Sequence, residues 1–408
     1  MIEAGRLDAR PWMAGKATRA VMLALSANGK PARFVGGCVR DALLDRPVKD
    51  VDIATPERPE EVMRLLDAAG IRAIPTGIKH GTVTAVIGRA HFEITSLRRD
   101  VETFGRHARV AFTDDWEEDA ARRDFTMNAL FCDPDGTLYD PTGGRADLED
   151  GRVRFVGDAA ARIEEDVLRL LRFFRFHGWY GKGAPDAAAL DACRALASGL
   201  AGLSAERVWS ELRRLLAAPD PASVLHLMET NTILAHVLAE ADRIPRLAAL
   251  CALEDRLGLA PDPLRRLAAV ITTDGDGALA RRLRLSRADG KRLHALTAPD
   301  RRPNPAVATL ENRITLYRLG PERFRDLVLI GWAGGAGKED DALWQALWAL
   351  PETNPMPKFP LAGRDALAAG VPKGPRVGLL LADIEAWWIE GGFTADRKAC
   401  LAQLRSRL

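Results

Sequence analysis

Cysteine is scarce in this chain of 408 residues, and what there is lies scattered. Cys38, Cys132, Cys193, Cys251 and Cys400 are odd in number, and no C-x-x-C pair occurs. The pattern indicates neither a disulfide framework nor a cysteine zinc site, and it suits a reduced compartment. Long apolar runs are missing as well: nothing approaches the ~18 residues of a bilayer span, so no membrane association is expected. The start, MIEAGRLDARPWMAGKATRA, has no apolar core segment and does not read as a signal peptide. A cytoplasmic location is the expectation. An excess of one charge is also lacking, with a formal net charge of only +2. Global charge therefore does not announce a nucleic-acid partner. Tandem repeats and low-complexity segments are absent.

The length exceeds one domain of about 100–200 residues and predicts two to four. Up to about residue 140, helical and extended patterns alternate. GKATRAVMLALSANG and RPEEVMRLLDAAG have helical spacing, ending at Gly29 and Gly70. ARFVGG reads as a strand entering a turn, CVRDALL as a short helix and KDVDIAT as a strand. GTVTAVIG and AHFEITSL are β-rich and predict adjacent strands with Gly88 near the turn, and Asp135-Gly136 marks another turn. Past about residue 145 the strand signals fade. DAAARIEEDVLRLLRFFRFHGWYG predicts one helix ending near Gly178, with Phe173, Phe174 and Phe176 as core packing. SAERVWSELRRLLAAPD predicts a helix with Ser204 at its N-cap. Leu- and Ala-rich helical stretches follow to the end, with PETNPMPKFP, residues 351–360, as the clearest linker or turn.

The stretch GGCVRDALLDRPVKDVDIAT, residues 36–55, carries the chemistry. On a strand, side chains at i and i+2 point the same way, about 6.5 Å apart. Asp50 and Asp52 therefore project together while Val51 and Ile53 face a core. Two carboxylates on one face repel unless a cation lies between them, and Mg²⁺ takes oxygen ligands while keeping positions open for phosphate. A pair of such ions activates an attacking hydroxyl and holds a leaving pyrophosphate. Gly36 and Gly37 let backbone approach a triphosphate closely, and Arg40 either bonds phosphate or fixes the turn. A lone D-x-D is an ordinary strand end. The Gly-Gly turn, the Arg40-Asp41 pair and the spacing together point to a metal and phosphate site.

These residues resemble the signature of the polymerase-beta-like nucleotidyltransferases, in the version of the bacterial class II tRNA nucleotidyltransferases (CCA-adding enzymes) and related bacterial poly(A) polymerases. Further segments fit in order over residues 30–216: TGIKHGTVTAVIGRAHFEITSLRRD, EEDAARRDFTMNAL, DPTGGRADLEDGRVRFVGDAAARIEEDVLRLLRFFRF and ERVWSELRRLL. The resemblance implies an α+β fold, a mixed-sheet catalytic head over 1–145, a helical neck over 146–216 and a helical body and tail over 217–408. It implies template-independent addition of CCA to tRNA from CTP and ATP, with two Mg²⁺ ions on Asp50 and Asp52. Glu93 completes or orients that site, or forms an ion pair at its strand end. By resemblance Arg123, Asp124 and Asn128 hold ribose and phosphates, Asp124 alternatively being a helix cap. Thr76, Gly77, His80 and Gly81 form a turn in which His80 is structural, and Arg98 contacts phosphate or loop.

The resemblance assigns base choice to Asp166 and Arg169, with Glu165 orienting the Arg and Arg172 assisting. Helical spacing makes Glu165–Arg169 an i,i+4 pair and Asp166–Arg169 an i,i+3 pair. An acceptor beside a guanidinium matches the amine and ring nitrogen shared by cytosine and adenine and mismatches uracil and guanine. RDVETFGRHARVAFTDDWEEDAAR, residues 99–122, lacks clear periodicity; by resemblance it is a flexible loop linked to the switch from C to A addition, which favours the full CCA activity. A poly(A) polymerase is the nearest alternative, but IPTGIKHGTV does not resemble the basic-aromatic signature those enzymes carry. Specialised A-adding or CC-adding enzymes are another. No His-Asp dipeptide occurs, so the phosphohydrolase domain of larger members is not expected. In the C-terminal half, residues 280–302 carry eight Arg or Lys against two Asp. Arg281, Arg282, Arg284, Arg287, Lys291 and Arg292 are the candidates for tRNA phosphate contact, a solvated helix face being the other reading.

Overall fold

The β-rich segments of the first third build one eight-stranded mixed sheet. The computed structural model describes residues 3–104, 107–272, 274–307, 309–335 and 341–408. Its strands are β1 (Glu3–Arg6), β2 (Arg33–Val35), β3 (Val51–Thr55), β4 (Arg72–Gly77), β5 (Thr82–Ile87), β6 (Ala90–Ser96), β7 (Arg98–Phe104), β8 (His107–Phe112), β9 (Phe131–Cys132) and β10 (Thr137–Tyr139). The sheet order is β1-β10-β9-β2-β3-β6-β5-β4, with β7 and β8 forming a separate pair. β3 and β6 run parallel, Asp52 opposite Glu93, and every other pairing is antiparallel.

Helices α1 (Pro11–Ala14), α2 (Lys16–Leu25), α3 (Gly37–Leu43), α4 (Pro59–Ala68) and α5 (Trp116–Ala121) are interleaved with these strands. The stripes Val21, Met22 and Leu25 of α2 and Val62, Leu65 and Leu66 of α4 bury against one another and the sheet. Val35, Ala54, Leu97, Phe131 and Val156 form a second core cluster with Trp116 and Tyr139.

Beyond β10 the described residues hold no named strand. α6 (Gly144–Asp150), α7 (Ala159–Glu165), α8 (Leu168–Tyr180), α9 (Ala187–Leu196), α10 (Ala205–Leu216), α11 (Pro221–Thr230) and α12 (Ala235–Leu238) complete the first of two compact units, Met1–Ala239. Phe173, Phe174 and Phe176 of α8 are buried with Phe125 and Phe155, ring centroids 4.8–5.9 Å apart. Each such ring contributes roughly 2–3 kcal/mol of burial. The second unit, Glu240–Leu408, is helical: α13 (Ile244–Arg256), α14 (Pro263–Val270), α15 (Ala278–Arg282), α16 (Arg287–Thr297), α17 (Thr309–Leu319), α18 (Pro321–Gly335) and four more helices ending at Arg405. Among the described residues no helix is long and apolar enough to cross a membrane.

Four expectations change. The helix drawn through residues 159–178 is two helices, broken at Asp166, whose backbone is extended (φ −152°, ψ 103°). The Asp166 carboxylate accepts from Leu168 N–H at 3.2 Å and its carbonyl accepts from Arg169 N–H at 2.9 Å, so local side-chain bonding displaces the helical ladder there. Past the break, α8 runs on to Tyr180. Residues 99–122 are not a loop throughout: β7 pairs with β8, and α5 follows; Gly105 and Arg106 lie outside the described residues. Pro351 lies inside a helix that reaches Thr353, so the linker begins later than the prolines suggest. Ser204 sits at the N-cap of α10 but its hydroxyl makes no capping bond.

Candidate active site

Gly36 closes β2 with φ +72° and ψ −123°, a backbone that only glycine adopts without strain, and turns the chain into α3. Asp50 precedes β3 and is exposed, while Asp52, on β3, is half-buried. The parallel register sets Glu93 of β6 beside Asp52, and Glu93 is exposed. Burial pushes the Asp52 carboxyl up to about 6; Glu93 and Asp50 add to the rise, and Arg123 and Arg40 oppose it. The acidic neighbours add to a rise that burial dominates, and a cation between such carboxylates would relieve their part of it. The hard oxygens of Asp50, Asp52 and Glu93 fit a divalent ion. Among the described residues no three acidic, His or Cys side chains close into a ready-made cage. A metal held here therefore draws part of its shell from substrate and water, as Mg²⁺ does at phosphate sites. Cys38, under β3, is buried and its thiol is pushed up to about 12 by burial, so it is packing and not a nucleophile.

Behind the acidic strand end runs a buried polar network. Arg40 is buried: it donates to Asn128 Oδ1 at 2.6 Å and to both Asp41 oxygens, and lies 4.3 Å over the Tyr180 ring. Asn128 Nδ2 donates to Asp124 Oδ1 at 2.9 Å. Arg172 of α8 donates to Asp124 Oδ2 from Nε and Nη2, at 2.7 and 2.5 Å. Burial alone would raise the Asp124 carboxyl, but Arg172 and Asn128 outweigh it and hold it at about 2. The sheet unit is thus tied to α8 through charge-assisted bonds. Arg123 is held by Asp119 Oδ2 and Arg122 by Asp119 Oδ1, with Asp119 only 1% exposed.

The base-choosing candidates part company. Arg169 donates to Glu165 Oε2 at 2.5 Å and to the carbonyls of Arg162 and Arg122. Asp166 instead pairs with Arg207 of α10, Oδ2 to Nη2 at 2.6 Å. Among the described residues no side-chain hydrogen bond or ion pair joins Asp166 to Arg169; the two meet through the backbone, Arg169 N–H to the Asp166 carbonyl. The extended backbone at Asp166 explains this: outside the helix its side chain does not share the i,i+3 face of Arg169.

In the second unit, Arg281, Arg284, Arg287, Lys291 and His294 line one cavity of about 710 Å³ between α15 and α16. Arg292 is turned away from this group and bonds Asp262 and Asp326, each at 2.7 Å, while Arg282 pairs with Glu240 at 2.6 Å. Asp119, Arg207 and Glu211 were not singled out from sequence. Asp119 had a readable signal, at i,i+3 and i,i+4 from Arg122 and Arg123. Arg207 and Glu211 sit on a helix whose partners are 36 to 41 residues away, a separation no local pattern reveals.

A mixed sheet with paired acids beside a glycine turn, joined to a helix by ion pairs, defines a nucleotidyltransferase head carried on a helical chain. The poly A polymerase head domain family matches residues 32–154, and the family described as a probable RNA and SrmB-binding site of polymerase A matches residues 185–244. Mitochondrial CCA tRNA nucleotidyltransferase 1 of Mus musculus is 34% identical over 391 residues, 91% of this chain and 86% of the relative. The CCA-adding enzyme of Geobacillus thermodenitrificans is 41% identical over 248 residues, 58% of this chain and 59% of the relative. The crystal structure of the Bacillus stearothermophilus CCA-adding enzyme in complex with CTP superposes with a TM-score of 0.74 at 30% identity, covering 98% of each chain. The chain belongs to the CCA-adding tRNA nucleotidyltransferase family, a class of enzyme that uses divalent metal.

Proposed function

We propose that this protein adds CCA to the 3′ end of tRNA, taking CTP and ATP and releasing pyrophosphate. The observation that carries the reading is the in-register pairing of Asp52 with Glu93, backed by the Arg40–Asn128–Asp124–Arg172 network that reaches α8. Asp50 and Asp52, with Glu93 beside them, would hold two Mg²⁺ ions. When bound, the metal lowers the pKa of the attacking hydroxyl and neutralises charge developing on phosphate. The Gly36-Gly37 turn admits the triphosphate against backbone, and Arg123, set by Asp119, offers charge to it. Asp124 and Asn128 face the ribose in this reading; Arg172 holds that pair in place. Arg169, oriented by Glu165, and Asp166 read the amine and ring nitrogen common to cytosine and adenine.

Residues 1–145 act as head, 146–216 as neck and 217–408 as body and tail. The groove of Arg281, Arg284, Arg287 and Lys291 gives the tRNA a phosphate contact independent of sequence. A cytoplasmic site of action is part of the same reading, although the mouse relative is named mitochondrial.

The test incubates the full chain with Mg²⁺, CTP and ATP and tRNA ending before the first C, after CC, or complete. Addition of CCA followed by a stop supports the proposal. Long A tails would point to the poly(A) alternative, which the head-domain match keeps in view. A added only to the CC-ended tRNA would indicate a specialised enzyme.

A further inference from the structure

A closed circuit of polar side chains leaves α8 near its start and returns to it at its end, about 12 Å further along the helix axis. Near the start, Arg172 donates to Asp124 Oδ2 from Nε and Nη2. At the last residue of α8, the Tyr180 hydroxyl donates to Asp41 Oδ1 of α3 at 2.9 Å. Asp41 accepts from Arg40 Nε and Nη2 at 3.0 and 3.1 Å, Arg40 Nη1 donates to Asn128 Oδ1, and Asn128 Nδ2 donates to Asp124 Oδ1. The Tyr180 ring lies 4.3 Å from the Arg40 guanidinium and stacks with Phe176 at 5.6 Å. This circuit decides which way the Asn128 amide faces. A guanidinium only donates and a carboxylate only accepts, so Oδ1 must face Arg40 and Nδ2 must face Asp124. Asp124 is saturated. Its Oδ1 takes Asn128 Nδ2 and the Phe125 N–H, its Oδ2 takes two Arg172 donors, and a carboxylate offers about four acceptor positions. Buried Asn128 keeps one Nδ2 hydrogen uncommitted among the described residues.

We propose that Tyr180 is a positioning residue for sugar choice: through Asp41 and Arg40 it fixes the Asn128 amide, whose remaining N–H meets the ribose 2′-hydroxyl. The inference rests on the reading that Asn128 faces the ribose. It deepens that reading by separating Asn128 from Asp124, which has no acceptor position left for a hydroxyl. With a ribonucleotide the last amide hydrogen is paired. With a 2′-deoxynucleotide the buried donor has no partner, which is how a polar site rejects a substrate lacking one hydroxyl. An amide able to swing escapes that penalty by turning its hydrogen to water or to another acceptor, and discrimination falls. Arg40 prevents the swing, and Tyr180 holds Arg40 in two ways. Its hydroxyl fixes the Asp41 carboxylate that Arg40 grips, and its ring backs the guanidinium. Tyr180 acts only through these neighbours, so its removal changes selectivity and KM before it changes kcat.

The experiment measures kcat and KM for CTP against dCTP and for ATP against dATP, on tRNA ends awaiting C or A. It compares the full chain with Tyr180→Phe, Tyr180→Leu, Arg40→Lys, Asn128→Ala and the double variant Tyr180→Leu/Asn128→Ala. Tyr180→Phe loses only the hydroxyl and is expected to lower the ribonucleotide preference about threefold, the scale of one hydrogen bond. Tyr180→Leu also loses the ring beside the guanidinium, and the drop should reach about tenfold. Both losses should fall on KM, with kcat changing little. Arg40→Lys should relax sugar choice at least as far as Tyr180→Leu, since an ammonium lacks the planar fork that spans Asp41 and Asn128. The double variant should be no less selective than Asn128→Ala. Thermal unfolding of each variant monitors the fold, and Tyr180→Phe, which keeps the ring, carries the test if Tyr180→Leu does not fold. If Asn128→Ala relaxes sugar choice and neither Tyr180 variant does, the positioning role is wrong while the ribose reading stands. If Asn128→Ala keeps the full ribonucleotide preference, the ribose reading falls and the inference falls with it. If Tyr180→Leu lowers kcat for CTP and dCTP equally and leaves their ratio unchanged, its role is structural and the proposal is overturned.

Discussion

Replacing Asp52 by Asn should make the protein more stable while stopping nucleotidyl transfer. In the absence of metal, burial, Glu93 and Asp50 raise the Asp52 carboxyl to about 6. A folded-state acid raised above its unfolded value of about 3.9 costs stability wherever it must ionise. The cost is absent below about pH 4, grows as pH rises and is complete above about pH 7. Two pKa units correspond to nearly 3 kcal/mol; Asp52 is only half-buried, so solvent screening reduces this to about 2 kcal/mol. For a unit of this size that is an increase of roughly 5 °C in unfolding temperature. The assay is calorimetry of parent and Asp52→Asn at pH 8 in EDTA, at pH 4, and at pH 8 with Mg²⁺. The variant should unfold later in EDTA at pH 8, and the difference should vanish at pH 4. Added Mg²⁺ should raise the parent by mass action and leave the variant nearly unmoved. An Asp52→Asn protein no more stable than the parent in EDTA, or one stabilised equally by Mg²⁺, would refute the idea that Asp52 is a strained, metal-awaiting carboxylate.

Two other outcomes follow from the ion pairs. Arg172→Met strips the guanidinium from Asp124 and leaves a buried carboxylate with only Asn128 and the Phe125 N–H as donors. That should cost about 3 kcal/mol, and the double variant Asp124→Asn/Arg172→Met should recover part of it, as read by denaturant unfolding; strictly additive losses would show that the pair is uncoupled. In the second unit, Arg287→Ala and Lys291→Ala should each lower the slope of log affinity against log salt for tRNA by about 1 without changing the unfolding temperature. Arg292→Ala should do the reverse, lowering the unfolding temperature and leaving the slope alone, because its charge is already spent on Asp262 and Asp326.

What could be read in advance followed from range. The glycine turn, the short helix and the strand bearing Asp52 are set within twenty residues and appear as expected, with Asp50 falling just before the strand. Glu165–Arg169 is a spacing rule inside one turn and its onset, and it survives the break. The mixed sheet came from a resemblance spread over ordered motifs, and its parallel β3–β6 step could not be derived from either strand alone. Where the reading failed, two local rules competed. Helical periodicity across residues 159–178 favours continuity, while an Asp at 166 can bond its own downstream N–H groups. The other oxygen of Asp166 is taken by Arg207, 41 residues later, and charge spacing on one segment cannot report that. The basic run of 280–302 shows the same limit: its six candidate cations look alike in sequence, yet Arg292 and Arg282 are taken up by carboxylates contributed by distant helices or the chain before them. A cation is open to a phosphate only if the fold brings it no acid, so the charge pattern bounds the set of candidates from above. The same holds for the two base-choosing candidates: Arg169 pairs with Glu165, as its spacing predicts, while Asp166 pairs with Arg207, so spacing found one partner and missed the other.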